Sequence, residues 1–277
     1  MSDFRRAPSF SVDPNLIFDV GFCHGFDTAH YLERGFRVVA VEADPFLVEA
    51  GRRRFEREIA SGRLTLLGLG IAEQTGTGTL WAVPHNRGLN SFIPRRLTGH
   101  KTVPIEVKTR TFAEILDEHG VPFYLKIDIE GSDHLCLEAL RVDALPIFVS
   151  FELSRLQEAR VLRDLGYSRF KILTQSDHRQ FPQRMHWKTR LRLRLRHKPT
   201  LERLTARLLP RFDGGRHRRH RALKRGTPGP SGPFGEMTDG TWVSWDDLEI
   251  SWRRCFAFHE ERRGSLWFDL HASLEVE

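Results

Sequence analysis

Leu16-Ile17-Phe18-Asp19-Val20-Gly21-Phe22-Cys23-His24-Gly25-Phe26-Asp27-Thr28 is the stretch on which the fold turns. Its first five residues read as a buried strand, and the next residues turn that strand into a helix. Gly21 and Gly25 let the backbone pass close to a ligand, while the helix N-terminus offers free N–H groups. Working outward, Val38-Val39-Ala40-Val41 reads as a second buried strand, closed by Glu42. An acid at that point can accept hydrogen bonds from both hydroxyls of a ribose. Each feature alone is commonplace. In this order, on the first two strands, they point to an adenosine-containing ligand.

The same apolar runs recur at 64–67, 123–127 and 147–151, with further strands expected at 167–173 and 266–270. Continuous apolar runs bounded by turns are the mark of parallel strands covered on both faces. Helix signals fill the intervals. Asp44-Pro45 places a cap before a first-turn proline. Thr111-Phe-Ala-Glu114 and Ser154-Arg-Leu-Gln157 have capping-box spacing, and Ser132 is placed to cap a helix carrying Leu135 and Leu137. The alternation predicts an open α/β sheet with right-handed crossovers. Two extra strands are expected near 79–83 and 103–108. The expected organisation is a core over 1–175, a basic and Gly/Pro-rich insert over 176–265, and a last core strand in 266–277. Within the insert, Gly226-Thr-Pro-Gly-Pro-Ser-Gly-Pro-Phe-Gly235 reads as a loop or linker.

A second constellation, Leu125-Lys126-Ile127-Asp128-Ile129-Glu130-Gly131-Ser132-Asp133, falls at the carboxyl end of the fourth strand, where open α/β sheets bind ligands. Strand alternation places Lys126, Asp128 and Glu130 on one side. These acids suit a general base for a hydroxyl, a cation site, or a contact to a ligand amine. The competing structural reading is a strand-end ion pair of Lys126 and an acid, with Asp133 favoured by a helix N-terminus. Glu152, ending the fifth strand, is a further candidate. A Gly-x-Gly-x-x-Gly fingerprint is missing, which argues against NAD, and so is a phosphate-binding Gly-x-x-x-x-Gly-Lys-Ser/Thr loop.

Three motifs together resemble the FkbM-type methyltransferases: the Asp19 to Thr28 turn, Val41-Glu42-Ala43-Asp44-Pro45, and Lys126-Ile-Asp-Ile-Glu-Gly131. Lys108-Thr-Arg-Thr-Phe112 falls at the matching place. The resemblance spans about residues 15–175, and Ser231-Gly-Pro-Phe-Gly-Glu236 is similar to the tail of some bacterial members. It implies a Rossmann-like class I methyltransferase fold with a mostly parallel seven-stranded sheet and S-adenosyl-L-methionine as cofactor. It further implies that Asp19, Gly21, Gly25, Asp27 and Thr28 border the methionine part and that Glu42 binds the ribose. Gly70, Ile71 and Ala72 then lie near the adenine, while Asp128 and Glu130 face the methyl-transfer region. Many members carry Glu at the position of Asp133. The implied reaction is O-methylation of a hydroxyl on a sugar, glycolipid or secondary metabolite. A metal-independent route is expected, since no His/Asp cluster has recognised ligand spacing.

Composition adds the question of partners. The 277 residues carry a formal net charge of +7, but residues 184–225 hold 16 Lys+Arg against two acids, a net +14. The remaining 235 residues are therefore net −7. Within the basic stretch Arg and Leu alternate over 190–196, and Leu201, Leu204, Leu208 and Leu209 recur at helical spacing. A solvated insert is the ordinary reading of such a charge run. The others are an anionic membrane surface, an anionic acceptor, and nucleic acid. Nucleic acid is disfavoured, because Trp187 and Phe212 are the only aromatic residues there. Nucleic-acid modification and a non-catalytic cofactor-binding module remain the alternatives to the enzyme reading. No apolar run reaches the roughly 18 residues of a membrane span. Cys23, Cys136 and Cys255 form no CxxC pair. A cytoplasmic protein, in contact with the inner membrane face if the basic stretch docks there, is the expectation.

Overall fold

The computed structural model describes residues 11–175, 178–181, 229–256 and 267–274. The basic stretch 184–225 and the readings placed on it lie outside the described residues.

The first half runs β1 (Asp13–Val20), α1 (Phe26–Glu33), β2 (Arg37–Glu42), α2 (Pro45–Arg54), α3 (Glu56–Ala60) and β3 (Leu64–Gly68). A side sheet follows, built from β4 (Gly70–Ile71), β5 (Gly76–Ala82) and β6 (Val103–Arg110). The chain then returns through α4 (Phe112–His119), β7 (Pro122–Ile127), α5 (Asp133–Glu138), β8 (Phe148–Glu152) and α6 (Arg160–Asp164). Last come β9 (Arg169–Thr174), β10 (Gln180–Phe181), a helix here labelled α7 (Trp245–Phe256), and β11 (Phe268–Ser273).

The main sheet has the order β10-β9-β11-β8-β7-β1-β2-β3. β1 pairs in parallel with both β2 and β7, and β11 runs antiparallel to β8 and β9. The seven expected strands are all present, and the two-residue β10 adds an eighth at the edge. Because the chain leaves β1 towards β2 and later returns on its other side as β7, strand order reverses at β1. The crevice outside such a reversal is where open α/β sheets bind ligands. The two extra strands expected near 79–83 and 103–108 pair with each other as β5 and β6, outside the main sheet.

Alternation along β1 divides the core into two layers. Leu16, Phe18 and Val20 join Phe112, Leu125 and Ile127 in one. Ile17 joins Tyr31, Tyr124 and Phe234 in the other. Phe234 stacks on Tyr124 with ring centroids 4.7 Å apart, so part of the predicted linker is anchored in the core. No element was expected at α7, yet Trp245, Leu248 and Trp252 recur on one helical face and join the buried core. Trp252 meets Phe181 and Phe268 at 5.9 and 5.8 Å.

The helix caps follow the sequence in two cases and depart from it in two. Asp44 accepts from the backbone of Phe46, and Thr111 from that of Glu114. At the Ser154 box the acid that reaches back is Glu158, one residue beyond Gln157. Ser132 makes no side-chain cap; the neighbouring Asp133 carboxylate closes that turn instead, accepting from the backbones of Gly131 and Ile129 at 3.1 and 3.4 Å. A carboxylate accepts two N–H groups where a hydroxyl commonly takes one. Among the described residues no helix is long and apolar enough to cross a membrane.

Candidate active site

The carboxyl ends of β1, β2 and β7 open into a cavity of about 220 Å³. Gly21, at φ +94°, forms its floor; a Cβ there would stand 1.9 Å from the Asp128 carbonyl oxygen. Only glycine lets the exit of β1 cross that of β7 so closely. Gly25 begins α1 at φ +69° and packs against Phe22 and Phe55.

Glu42, at the end of β2, lines the cavity with both oxygens tied to backbone. Oε2 accepts from Cys23 N at 2.7 Å and Oε1 from Asp44 N at 2.8 Å. Burial pushes its carboxyl up to about 7. Each oxygen keeps acceptor capacity for a second donor. Asp27 also lines the cavity, and burial pushes it up to about 6.

Beneath the cavity lies a charged knot. Thr28 Oγ1 donates to Asp19 Oδ2 at 2.6 Å, and Lys126 Nζ stands 3.2 Å from Asp19 Oδ1. Lys126 also donates to the Gly21 carbonyl at 2.9 Å and lies 3.7 Å from Asp128 Oδ2. Burial alone would lower the Lys126 pKa, but Asp19, Asp128 and Asp27 outweigh it and hold the ammonium protonated.

The acids after β7 are brought together, by a different route from the expected alternation. β7 ends at Ile127, and Glu130 sits in a left-handed conformation at φ +49°. That turn, rather than strand periodicity, places Lys126, Asp128 and Glu130 in the same cavity wall. Ser91 Oγ donates to the Glu130 carbonyl at 2.8 Å, and Arg96 lies 3.4 Å from its carboxylate. Burial, then Asp128, push Glu130 up to about 7. Burial, then Glu130 and Asp128, push Glu152 up to about 9. Oxygens of Asp128, Glu130 and Glu152 lie within 4.8 Å of one another, an all-oxygen donor set of the type hard cations use.

Of the expected cofactor residues, Gly21, Asp27, Glu42, Gly70 and Ile71 line the cavity, as do Asp128 and Glu130. Asp19 and Thr28 lie beneath it, Gly25 behind the helix start, and Ala72 just past β4, where its N–H donates to the Arg110 carbonyl. Sequence reasoning missed the roof, formed by Arg87, Gly88, Asn90 and Phe92 from the β5–β6 connection. Asn90 Nδ2 donates to Asp44 at 2.8 Å, its Oδ1 accepts from Val83 N at 2.8 Å, and Arg87 pairs with the same aspartate. No spacing rule links residues so far apart in sequence. The absence of acids over 83–102 was the nearest available signal.

The wall chemistry suits S-adenosyl-L-methionine. One part is apolar, with Leu69, Ile71, Leu80 and Phe92, and Gly70 leaves room for Phe92, whose ring a Cβ would meet at 2.3 Å. The rest is rich in carboxylates, namely Asp27, Glu42, Asp128 and Glu130. A flat base matches the first part, and a diol and a cationic tail match the second.

Residues 19–182 match the model of the methyltransferase FkbM domain. A stretch of 63 residues, 23% of the chain, is 43% identical to a probable ribosomal RNA small subunit methyltransferase A from Methanospirillum hungatei. That match takes in 25% of the relative's length. Among solved structures, precorrin-6y C5,15-methyltransferase from Geobacter metallireducens is 14% identical, with a TM-score of 0.35 over 59% of this chain and 68% of that one. An O-methyltransferase from Bacillus cereus is 15% identical, with a TM-score of 0.33 over 60% of this chain and 77% of that one.

Proposed function

The chain belongs to the FkbM methyltransferase domain family, whose members depend on S-adenosyl-L-methionine, and on that premise we propose that it O-methylates a hydroxyl of a sugar, glycolipid or secondary metabolite. The observation that carries this reading is the Glu130 carboxylate, held beside Asp128 in the cavity wall with a pKa near 7.

When bound, the cofactor supplies an activated methyl group on a sulfonium, so the protein's task is mainly alignment. Glu42 holds the ribose, Gly70, Ile71 and Phe92 pack on the base, and Gly21 and Asp27 border the methionine part. Asp19, Gly25, Thr28 and Ala72 shape these elements from behind. At neutral pH Glu130 is partly ionised and accepts the acceptor hydroxyl's proton as the oxygen attacks. Asp128, held by Lys126, orients that hydroxyl. Glu152 keeps its proton at neutral pH and so adds no third negative charge beside Asp128 and Glu130.

The proton passes to a carboxylate without a divalent cation. Lys126 and Arg96 already stand against Asp128 and Glu130 and supply the positive charge such an ion would bring. Activity that survives EDTA supports this route, and activity lost to EDTA and restored by Mg²⁺ overturns it. The acceptor class is tested with labelled cofactor against lysate fractions separated into glycans, lipids and nucleic acids. Label in the glycan or lipid fraction, reduced at least about a hundredfold in E130Q, is the expected result. The similarity to a probable ribosomal RNA methyltransferase, over a quarter of that protein, motivates a second reading, methylation of nucleic acid. Label confined to the nucleic-acid fraction would establish that reading instead.

A further inference from the structure

The family match ends at residue 182, yet the cavity wall includes Pro230. The segment 229–235 returns from the C-terminal half and settles on the start of α1. Its anchor is Phe234, edge-on to Tyr31 at 5.3 Å as well as stacked on Tyr124. Its contact with the site is Ser231. The Ser231 backbone N–H donates to Asp27 Oδ1 at 3.1 Å, and its hydroxyl donates to Oδ2 at 2.9 Å. Gly229 packs so tightly below that a Cβ would stand 2.0 Å from Asp27 Oδ1. One residue therefore takes both oxygens of a carboxylate that is only 8% exposed.

We propose that Ser231 is a positioning residue of the cofactor site, clamping the Asp27 carboxylate so that it stays ionised and faces the cationic end of S-adenosyl-L-methionine. The clamp rests on the reading of this cavity as the cofactor site. Ser231 itself lies 49 residues beyond the matched region. Burial opposes the Asp27 charge, as does Asp19 on β1, and beyond burial the Asp27 charge in turn raises Asp269 on β11 and the hydroxyls of Tyr31 and Tyr124. Lys126 on β7 and the two Ser231 donors favour it. Removing the hydroxyl leaves the backbone bond and the fold of the segment in place but raises the pH at which Asp27 ionises. A cationic ligand then meets a partly neutral partner at pH 7.

The test is calorimetric titration of S-adenosyl-L-methionine into wild type, S231A, S231T and D27N from pH 5.5 to 8.5. S231A should bind about twofold more weakly near pH 7 and up to about eightfold more weakly near pH 5.5, as follows if the lost charge-assisted hydrogen bond moves the ionisation of Asp27 by about tenfold. The gap should close towards pH 8.5, where Asp27 is ionised in both proteins. S231T should restore wild-type affinity, and D27N should stay weak across the range. An S231A protein that binds like wild type, or is weaker by one factor at every pH, overturns the clamp and leaves the cofactor reading standing. A wild-type chain that binds no S-adenosyl-L-methionine overturns both.

Discussion

Asp19 and Lys126 are register partners on adjacent parallel strands, and their charged groups meet 3.2 Å apart, almost wholly shielded from solvent. Lys126 extends the link to Gly21 and Asp128, so one ammonium ties the floor of the cavity to its acidic wall. Truncating Lys126 to Met leaves Asp19 buried without a counter-charge. K126M should lose about 3–5 kcal/mol of stability by urea unfolding. D19N combined with K126M should lose less than the sum of the single changes, because the second removes a charge the first has orphaned. A loss below about 1 kcal/mol in K126M would contradict the structural role assigned to this pair.

The acid-rich wall makes a signed prediction for stability against pH. Glu42, Glu130 and Asp269 are raised to about 7, and Glu152 to about 9. Between the unfolded and folded pKa of such a group the native state binds the extra proton, so stability falls as pH rises through that window. His271 acts in the opposite direction, because burial lowers it to about 3 and its contribution is complete only above its unfolded pKa. The protein without cofactor should therefore lose stability steadily as pH rises from about 5 to 9, by several kcal/mol in all, with Glu152 carrying most of the fall above about pH 8. E152Q should flatten the alkaline limb. A flat profile between pH 6.5 and 9, by thermal or urea unfolding, would show that these carboxyls are not held protonated.

What the sequence reveals and what it conceals have physical causes. The strands of the main sheet were legible because burial on both faces demands continuous apolar runs, as in 16–20 and 123–127. The Asp44 cap was legible because its chemistry is local. The roof over the cavity was not, since Asn90 meets Asp44 across 46 positions and nothing in either neighbourhood encodes the meeting. Glu130 joined the right wall for a reason other than strand alternation, a left-handed turn next to Gly131. Ser231 belonged to a Gly/Pro-rich run that reads as a linker, and Phe234, buried among Tyr31, Tyr124 and Phe36, is what fixes it.

The roof should matter for cofactor retention. In N90A the Val83 N–H loses its partner, and Asp44 keeps Arg87 but loses the Asn90 donor. A stability loss of about 1–3 kcal/mol is expected from the unmade bonds. The KM for S-adenosyl-L-methionine should rise about tenfold while kcat changes little, since in the proposed reading Asn90 covers the cofactor and touches none of the acids assigned to transfer. A fall in kcat at unchanged KM would place Asn90 in the transfer step.

On the proposed role of Glu130 as the base of the transfer, its ionised form is the active one, so kcat should rise with pH through about 7 and level off above it. E130Q should remove that limb and lower kcat by about a hundredfold or more, with cofactor affinity nearly unchanged. A pH-independent kcat in the wild type would transfer the base role to another group.

In the proposed reading the crevice at the ends of β1, β2 and β7 holds S-adenosyl-L-methionine with Glu42 on its ribose. The most direct measurement is a calorimetric titration of the cofactor into wild type and E42Q. Wild type should bind one equivalent with micromolar affinity. E42Q should bind at least about tenfold more weakly, because it loses acceptor strength towards a diol and sets its amide nitrogen against one of the two backbone N–H groups that Glu42 accepts. No binding by the folded wild type, or equal affinity in E42Q, would contradict a ribose site at Glu42.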